Sequence, residues 1–120
     1  SLDVQYILAI AQNATTWYWS VSSTGDIFLQ WIEALASTPN PPLVHSMSYA
    51  SLAPEDPKYD VERFNTEMCK LGLKGLTLFV ASGDDGVANF GARNSPSQCG
   101  FTPSFPATSP VSFASVGCCC

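Results

Sequence analysis

The chain has 120 residues, 46% of them hydrophobic and 12% charged, a balance that buries a core and excludes a disordered segment. Ten acidic side chains against five basic ones give a formal net charge of -5, which argues against nucleic acid and anionic membrane surfaces as partners. No run reaches the roughly 18 apolar residues of a membrane span.

In chain order, Leu2, Tyr6, Ile7 and Ile10 share one helical face, and Val4, Leu8 and Ala11 widen it, so residues 2–12 are predicted as a mostly buried helix. The β-branched and aromatic run Thr16-Trp17-Tyr18-Trp19-Ser20-Val21 predicts a short strand, followed by turn chemistry at residues 22–25. Ile27, Phe28, Trp31, Ile32 and Leu35 recur at helical spacing over residues 26–37, with Thr24 or Asp26 as N-cap, and Asn40-Pro41-Pro42 ends that segment. Residues 43–49 read as a strand, and Pro54-Glu55-Asp56-Pro57 as a loop opening a helix over residues 58–72 with Tyr59, Val61, Phe64, Met68 and Leu71 inward. Gly72 and Gly75 close it, residues 76–81 form the most apolar strand, residues 84–109 a long Gly/Pro/Ser/Asn-rich loop, and residues 111–116 a last strand. Strands alternating with helices predict one α/β unit: a parallel sheet with helices on both faces.

In such sheets ligands bind beyond the carboxyl ends of the strands, where the segments after Tyr49 and Ser82 lie. Ser82-Gly83-Asp84-Asp85-Gly86 therefore stands where a site belongs, with glycines that let the chain turn and a substrate approach. A turn or helix cap is the competing role for the two aspartates. His45, in a strand, reads as a hydrogen-bonded packing residue, and Trp17, Trp19 and Trp31 as core. Gly83, Gly86 and Gly91 lack the spacing and Lys of a phosphate loop. Cys69, Cys99, Cys118, Cys119 and Cys120 make an odd set with no C-x-x-C pair, so neither a metal site nor a complete disulfide framework is signalled. Asn13-Ala14-Thr15 is an N-glycosylation acceptor in a chain that enters the secretory pathway. The opening SLDVQYILAIAQ, without Met or a basic leader, and the closing SVGCCC read as the ends of an internal piece of a longer protein.

Three stretches in this order, SLDVQY, LTLFVASGDDG and FTPSFPATSPVSFASVG, resemble the sedolisin family of serine carboxyl peptidases, most closely its tripeptidyl-peptidase branch. Asn13-Ala14-Thr15-Thr16-Trp17, Phe28-Leu29-Gln30-Trp31, residues 44–49 and Arg63-Phe64-Asn65-Thr66-Glu67 support the likeness, which runs to Gly117. The resemblance implies a subtilisin-like fold, of which residues 1–120 are part, and a Ser-Glu-Asp catalytic set. Ser1-Leu2-Asp3 matches the end of the family's E-A-S-L-D pattern, making Asp3 the carboxylate that orients the base Glu, itself two residues before Ser1. Four residues of helix put two such carboxyls on one face, where they share a proton as a coupled pair.

By the same resemblance, Ser82-Gly83-Asp84 matches the S-G-D motif. Asp84 is then the oxyanion donor where subtilisins use an Asn amide, and a carboxyl donates only when protonated, which implies an acid medium. Asp85 is read as a turn residue. Ser48-Tyr49-Ala50 matches the segment that aligns substrate as an added strand, with Ala50 where relatives have Gly. Ser82 and Gly83 adjoin the bound peptide, and Pro106 matches a conformationally fixed proline. The G-T-S-A nucleophile motif and the family's calcium loop do not occur in these residues, so calcium is implied with its ligands elsewhere, and the chain alone is expected to be inactive. The implied protein is a lysosomal or extracellular acid peptidase, tripeptidyl-peptidase or endopeptidase, acting on peptide or protein substrates. The alternatives are a non-catalytic peptide-binding homologue and a small-molecule-binding doubly wound domain with its switch point beside Gly83. The peptidase reading requires Asp3 and Asp84 at one edge of the sheet.

Overall fold

A computed structural model of the chain describes residues 2–22, 24–52, 56–95, 97 and 99–115. Its elements are helix α1 (Leu2–Ile10), α2 (Ile27–Ser37), strand β1 (Val44–Met47), α3 (Val61–Leu73), β2 (Thr77–Ala81), a 3-10 turn at Gly86–Ala88, α4 (Gly91–Asn94) and β3 (Phe113–Ser115). The strands form a parallel sheet in the order β1-β2-β3, the α/β arrangement expected from the alternation of strands and helices. The order runs without reversal, so among the described residues no switch point lies beside Gly83, and the doubly wound small-molecule reading loses its support.

The core sits on one face. Phe28, Trp31, Ile32 and Leu35 of α2 and Phe64, Met68 and Leu71 of α3 pack with Leu76, Leu78, Val80 and Phe105 in one buried cluster. The i, i+3, i+4, i+7 spacing of the α2 residues produces the stripe, and Leu78 and Val80 face it because alternate strand residues share a side. Phe105 reaches in from the long loop, edge-on to Phe28 at 5.2 Å and to Phe64 at 5.1 Å, the perpendicular arrangement that ring quadrupoles favour.

Both core helices begin on an aspartate. Asp26 accepts from the Leu29 N–H at 2.9 Å, and Asp60 from the Arg63 N–H at 2.9 Å, each satisfying an orphan donor of the first turn. The second oxygen of Asp26 accepts from the Asp60 N–H at 2.8 Å, so one carboxylate ties the two helix starts together. That bond moves the start of α3 from the predicted residue 58 to Val61, with Pro57 and Lys58 in the turn before it. Gly72 lies within the helix rather than closing it. Gly75, at φ +93°, supplies the left-handed stop, and the Leu76 N–H to Leu71 carbonyl and Gly75 N–H to Gly72 carbonyl bonds make a Schellman cap.

Two expectations fail. Thr16–Val21 is not a strand: the segment carries no regular secondary structure, because aromatic and β-branched content makes a strand only where a partner edge is offered. Trp19 leans on the core and Trp31 is buried, but Trp17 is 47% exposed and stacks on Trp19 at 6.4 Å rather than joining the core. The second failure is α1, predicted as mostly buried to residue 12 and found ending at Ile10 with no buried residue; Tyr6 is 66% and Ile10 85% exposed. Among the described residues no apolar surface closes over that helix. The long loop also holds structure of its own, the 3-10 turn and α4. Cys69 and Cys99 are exposed free thiols, whereas Cys118, Cys119 and Cys120 fall outside the described residues, as do Ser1, Pro54 and Glu55.

Candidate functional site at the carboxyl edge of the sheet

The pairing of β1 with β2 is parallel, with Met47 opposite Val80. Ser48-Tyr49-Ala50 and Ser82-Gly83-Asp84 therefore leave neighbouring strands side by side at the same edge. Ser48, Tyr49 and Ala50 are exposed and continue past the ladder, and the Tyr49 ring lies 6.1 Å from Phe28. Ser51 then forms an antiparallel bridge with Phe105, each N–H donating to the other's carbonyl at 2.8 Å. This bridge fastens the segment after β1 to the Phe105-Pro106 peptide, which is cis.

Asp3, in the first turn of α1, reaches this edge from the face opposite the core. Its two oxygens accept from the Ser48 hydroxyl at 2.7 Å and the Ser46 hydroxyl at 2.9 Å. Ser46 and Ser48 stand two apart, so both hydroxyls emerge on one side of the strand, and His45 and Met47 turn to the other. The Ser48 bond, opposed by partial burial and reinforced by Ser46, holds the Asp3 carboxyl below its ordinary range. Ser46 was not anticipated as a site residue; its signal was the alternation with Ser48, legible only once Asp3 is known to lie against that face.

After β2 the chain turns on Gly83, at φ +102°. Asp84 projects outward, its side chain 88% exposed, with Arg93 Nη2 3.7 Å from one carboxylate oxygen. Asp85 instead takes the Nε of Arg93 at 2.6 Å and is 18% exposed. It occupies the position before the 3-10 turn yet makes no side-chain cap there, so this aspartate serves the turn by an ion pair to α4. Beneath Gly83 lies Asn89, 5% exposed, with φ 56° and ψ -172°. That region is nearly reserved for glycine and costs about 1–3 kcal/mol for other residues. Neither Arg93 nor Asn89 was singled out from sequence, since both sit in a stretch read as featureless loop.

The remaining candidates are simpler. Nε2 of His45 lies 2.7 Å from the Pro42 carbonyl, which can only accept, so that nitrogen carries the proton. Burial lowers the His45 pKa against the pull of this bond, and the ring packs edge-on to Trp31 at 5.5 Å; it is the packing residue expected. Asn13 is exposed in the turn after α1. Among the described residues no three His, Cys, Asp or Glu side chains converge as a metal site, so these residues do not fit the implied calcium.

No protein-family model matches the chain. It is 37% identical over 113 residues to tripeptidyl-peptidase 1 of Bos taurus, Mus musculus and Homo sapiens, an overlap of 92% of this chain. The chain spans 20% of the length of these relatives. Homology of that extent, carrying the SLDVQY, SGD and PSFPA motifs in order on a parallel α/β frame, makes the chain a member of the sedolisin family.

Proposed function

We propose that the chain carries part of the catalytic apparatus of an acid-acting serine peptidase, of tripeptidyl-peptidase type, that cleaves peptide bonds through an acyl-enzyme. The observation that carries this reading is the convergence of Asp3, through Ser46 and Ser48, and the Ser82-Gly83-Asp84 turn at one edge of the sheet. In the proposed reaction a Ser hydroxyl attacks the scissile carbonyl, the C–N bond breaks as the amine leaves with a proton, and water then hydrolyses the ester. The nucleophilic Ser and base Glu come from segments other than these 120 residues.

Asp3 acts on that Glu. Because two hydroxyls donate to Asp3 and favour its anion, a Glu set against it retains the proton they share. As the Glu takes the nucleophile's proton, it passes the shared one to Asp3, so the singly negative pair becomes neutral while the negative charge moves to the oxyanion. Asp84, in its protonated form, donates to the oxyanion of the tetrahedral intermediate. The substrate backbone lies along Ser48-Tyr49-Ala50, at the strand that ends the sheet order, with Ser82 and Gly83 beside it. The tripeptidyl activity in the relatives' name and an exposed Asn13 acceptor support a lysosomal or extracellular setting.

Assay of the intact protein on a fluorogenic tripeptidyl amide at acid pH tests the reading. Asp84→Ala, which removes the donor, is expected to lower kcat by roughly 10²–10³, and Asp84→Asn and Asp3→Asn to lower it as well, with the fold retained by circular dichroism. A protein that binds peptide and never cleaves it is instead the non-catalytic homologue.

A further inference from the structure

The turn that presents Asp84 rests on a neighbour. A Cβ at Gly83 would come within 2.8 Å of the Asn89 side-chain oxygen, so the Asn89 amide forms the wall against which this glycine is set. Both ends of that amide are fixed. Oδ1 accepts from the Phe90 N–H at 3.1 Å, and Nδ2 donates to the Thr102 carbonyl at 3.3 Å. The Asn89 N–H reaches the Gly86 carbonyl at 3.3 Å, and the Thr102 N–H the Val87 carbonyl at 2.7 Å. Thus residues 86–90 and Thr102 meet around the buried Asn89 side chain.

The backbone of Asn89 makes the choice of residue informative. At φ 56° and ψ -172° glycine would sit without strain, and an unfavourable conformation of this kind persists only where its surroundings enforce it, most often at functional sites. What glycine lacks is the amide. The sequence therefore keeps a strained residue where the side chain, rather than the backbone, is what the position needs.

We infer that Asn89 is a positioning residue for Asp84: its buried amide, anchored to Phe90 and Thr102, sets the Gly83 turn and so fixes where the Asp84 carboxyl is presented. The inference rests on the role of Asp84 proposed above. Misplacement of a reacting group by about 1 Å costs on the order of a hundredfold in rate, so loss of this wall should be felt in turnover more than in folding.

The test uses the intact peptidase and the fluorogenic tripeptidyl amide. Asn89→Gly removes the amide while relieving the backbone, so its melting temperature should stay close to that of the parent while kcat falls about tenfold or more and KM changes little. Asn89→Asp, which keeps an oxygen against Gly83, should retain more turnover than Asn89→Gly. In an Asp84→Ala background, Asn89→Gly should cause no further loss of kcat, because a residue acting through Asp84 has nothing left to position. Gly83→Ala should cost less in the Asn89→Gly background than in the parent, since the clash is then gone.

An unchanged kcat in Asn89→Gly, or a loss that multiplies with that of Asp84→Ala, overturns the inference and leaves the Asp84 reading intact. Full turnover in Asp84→Ala alone removes the Asp84 reading and this inference with it.

Discussion

On one face of the sheet, Phe28, Trp31, Ile32 and Leu35 from α2 and Phe64, Met68 and Leu71 from α3 close over Leu78 and Val80. On the other, α1 meets β1 through two hydroxyls on Asp3 and leaves Tyr6 and Ile10 largely exposed. The first face buys its order with apolar burial, which is insensitive to small displacements of any one atom. The second uses directional bonds, which stabilise less and specify a position to a few tenths of an ångström. The candidate site forms where they meet, at the carboxyl edge: the strands are held by the first face and the Asp3 carboxylate is aimed by the second.

Substitutions should separate the two. The largest effect is expected for Phe64→Ala, which removes a ring that is 1% exposed and in contact with Phe105; denaturant melts should show a loss of about 3–5 kcal/mol. Asp26→Ala should cost about 1–2 kcal/mol by the same measurement, since it frees the Leu29 donor and also the Asp60 N–H that α3 depends on. On the polar face the signature is a pH dependence. Because Ser48 and Ser46 hold the Asp3 pKa down, their contribution is fully present above the ordinary aspartate range and is lost as pH falls through the lowered value. Thermal melts across acid pH should show that loss in the parent and not in Asp3→Asn, and carboxyl NMR should place the Asp3 midpoint below the ordinary aspartate range. The smallest effect belongs to the Glu33 and Arg63 ion pair between α2 and α3, with side chains 43% and 56% exposed. Glu33→Gln should change stability by about 0–1 kcal/mol, and less in high salt.

Much of the core face was legible because its signals are local. The four-residue stripe of α2, its Asp26 cap, the Pro41-Pro42 stop and the apolar run of β2 each act within one turn or one strand. The parallel order followed from the alternation of elements, and with it the placing of the Gly83 turn at the strand's carboxyl edge. The polar face was not legible in the same way. Leu2, Tyr6, Ile7 and Ile10 carry a helical period, and a period states which residues share a face without stating that anything covers it. Trp17 and Trp19 likewise had strand composition with no strand edge to join. At the site, Asp3 and Asp84 came from motif resemblance, whereas Ser46, Arg93 and Asn89 act through contacts 8 to 43 residues apart in sequence or through a backbone conformation. Nothing in composition encodes those. Asn89 in particular looks like any loop asparagine until its φ and its packing under Gly83 are seen.

The central claim is that the Ser82-Gly83-Asp84 turn presents a carboxyl that acts in its protonated form. The most direct test is the pH dependence of kcat for Asp84→Asn beside the parent, measured on the intact peptidase. An amide donates a hydrogen bond at any pH, so the variant should turn over more slowly at acid pH and lose less of its rate than the parent as pH rises. Profiles that superimpose in height and shape would contradict the account and remove Asp84 from the mechanism.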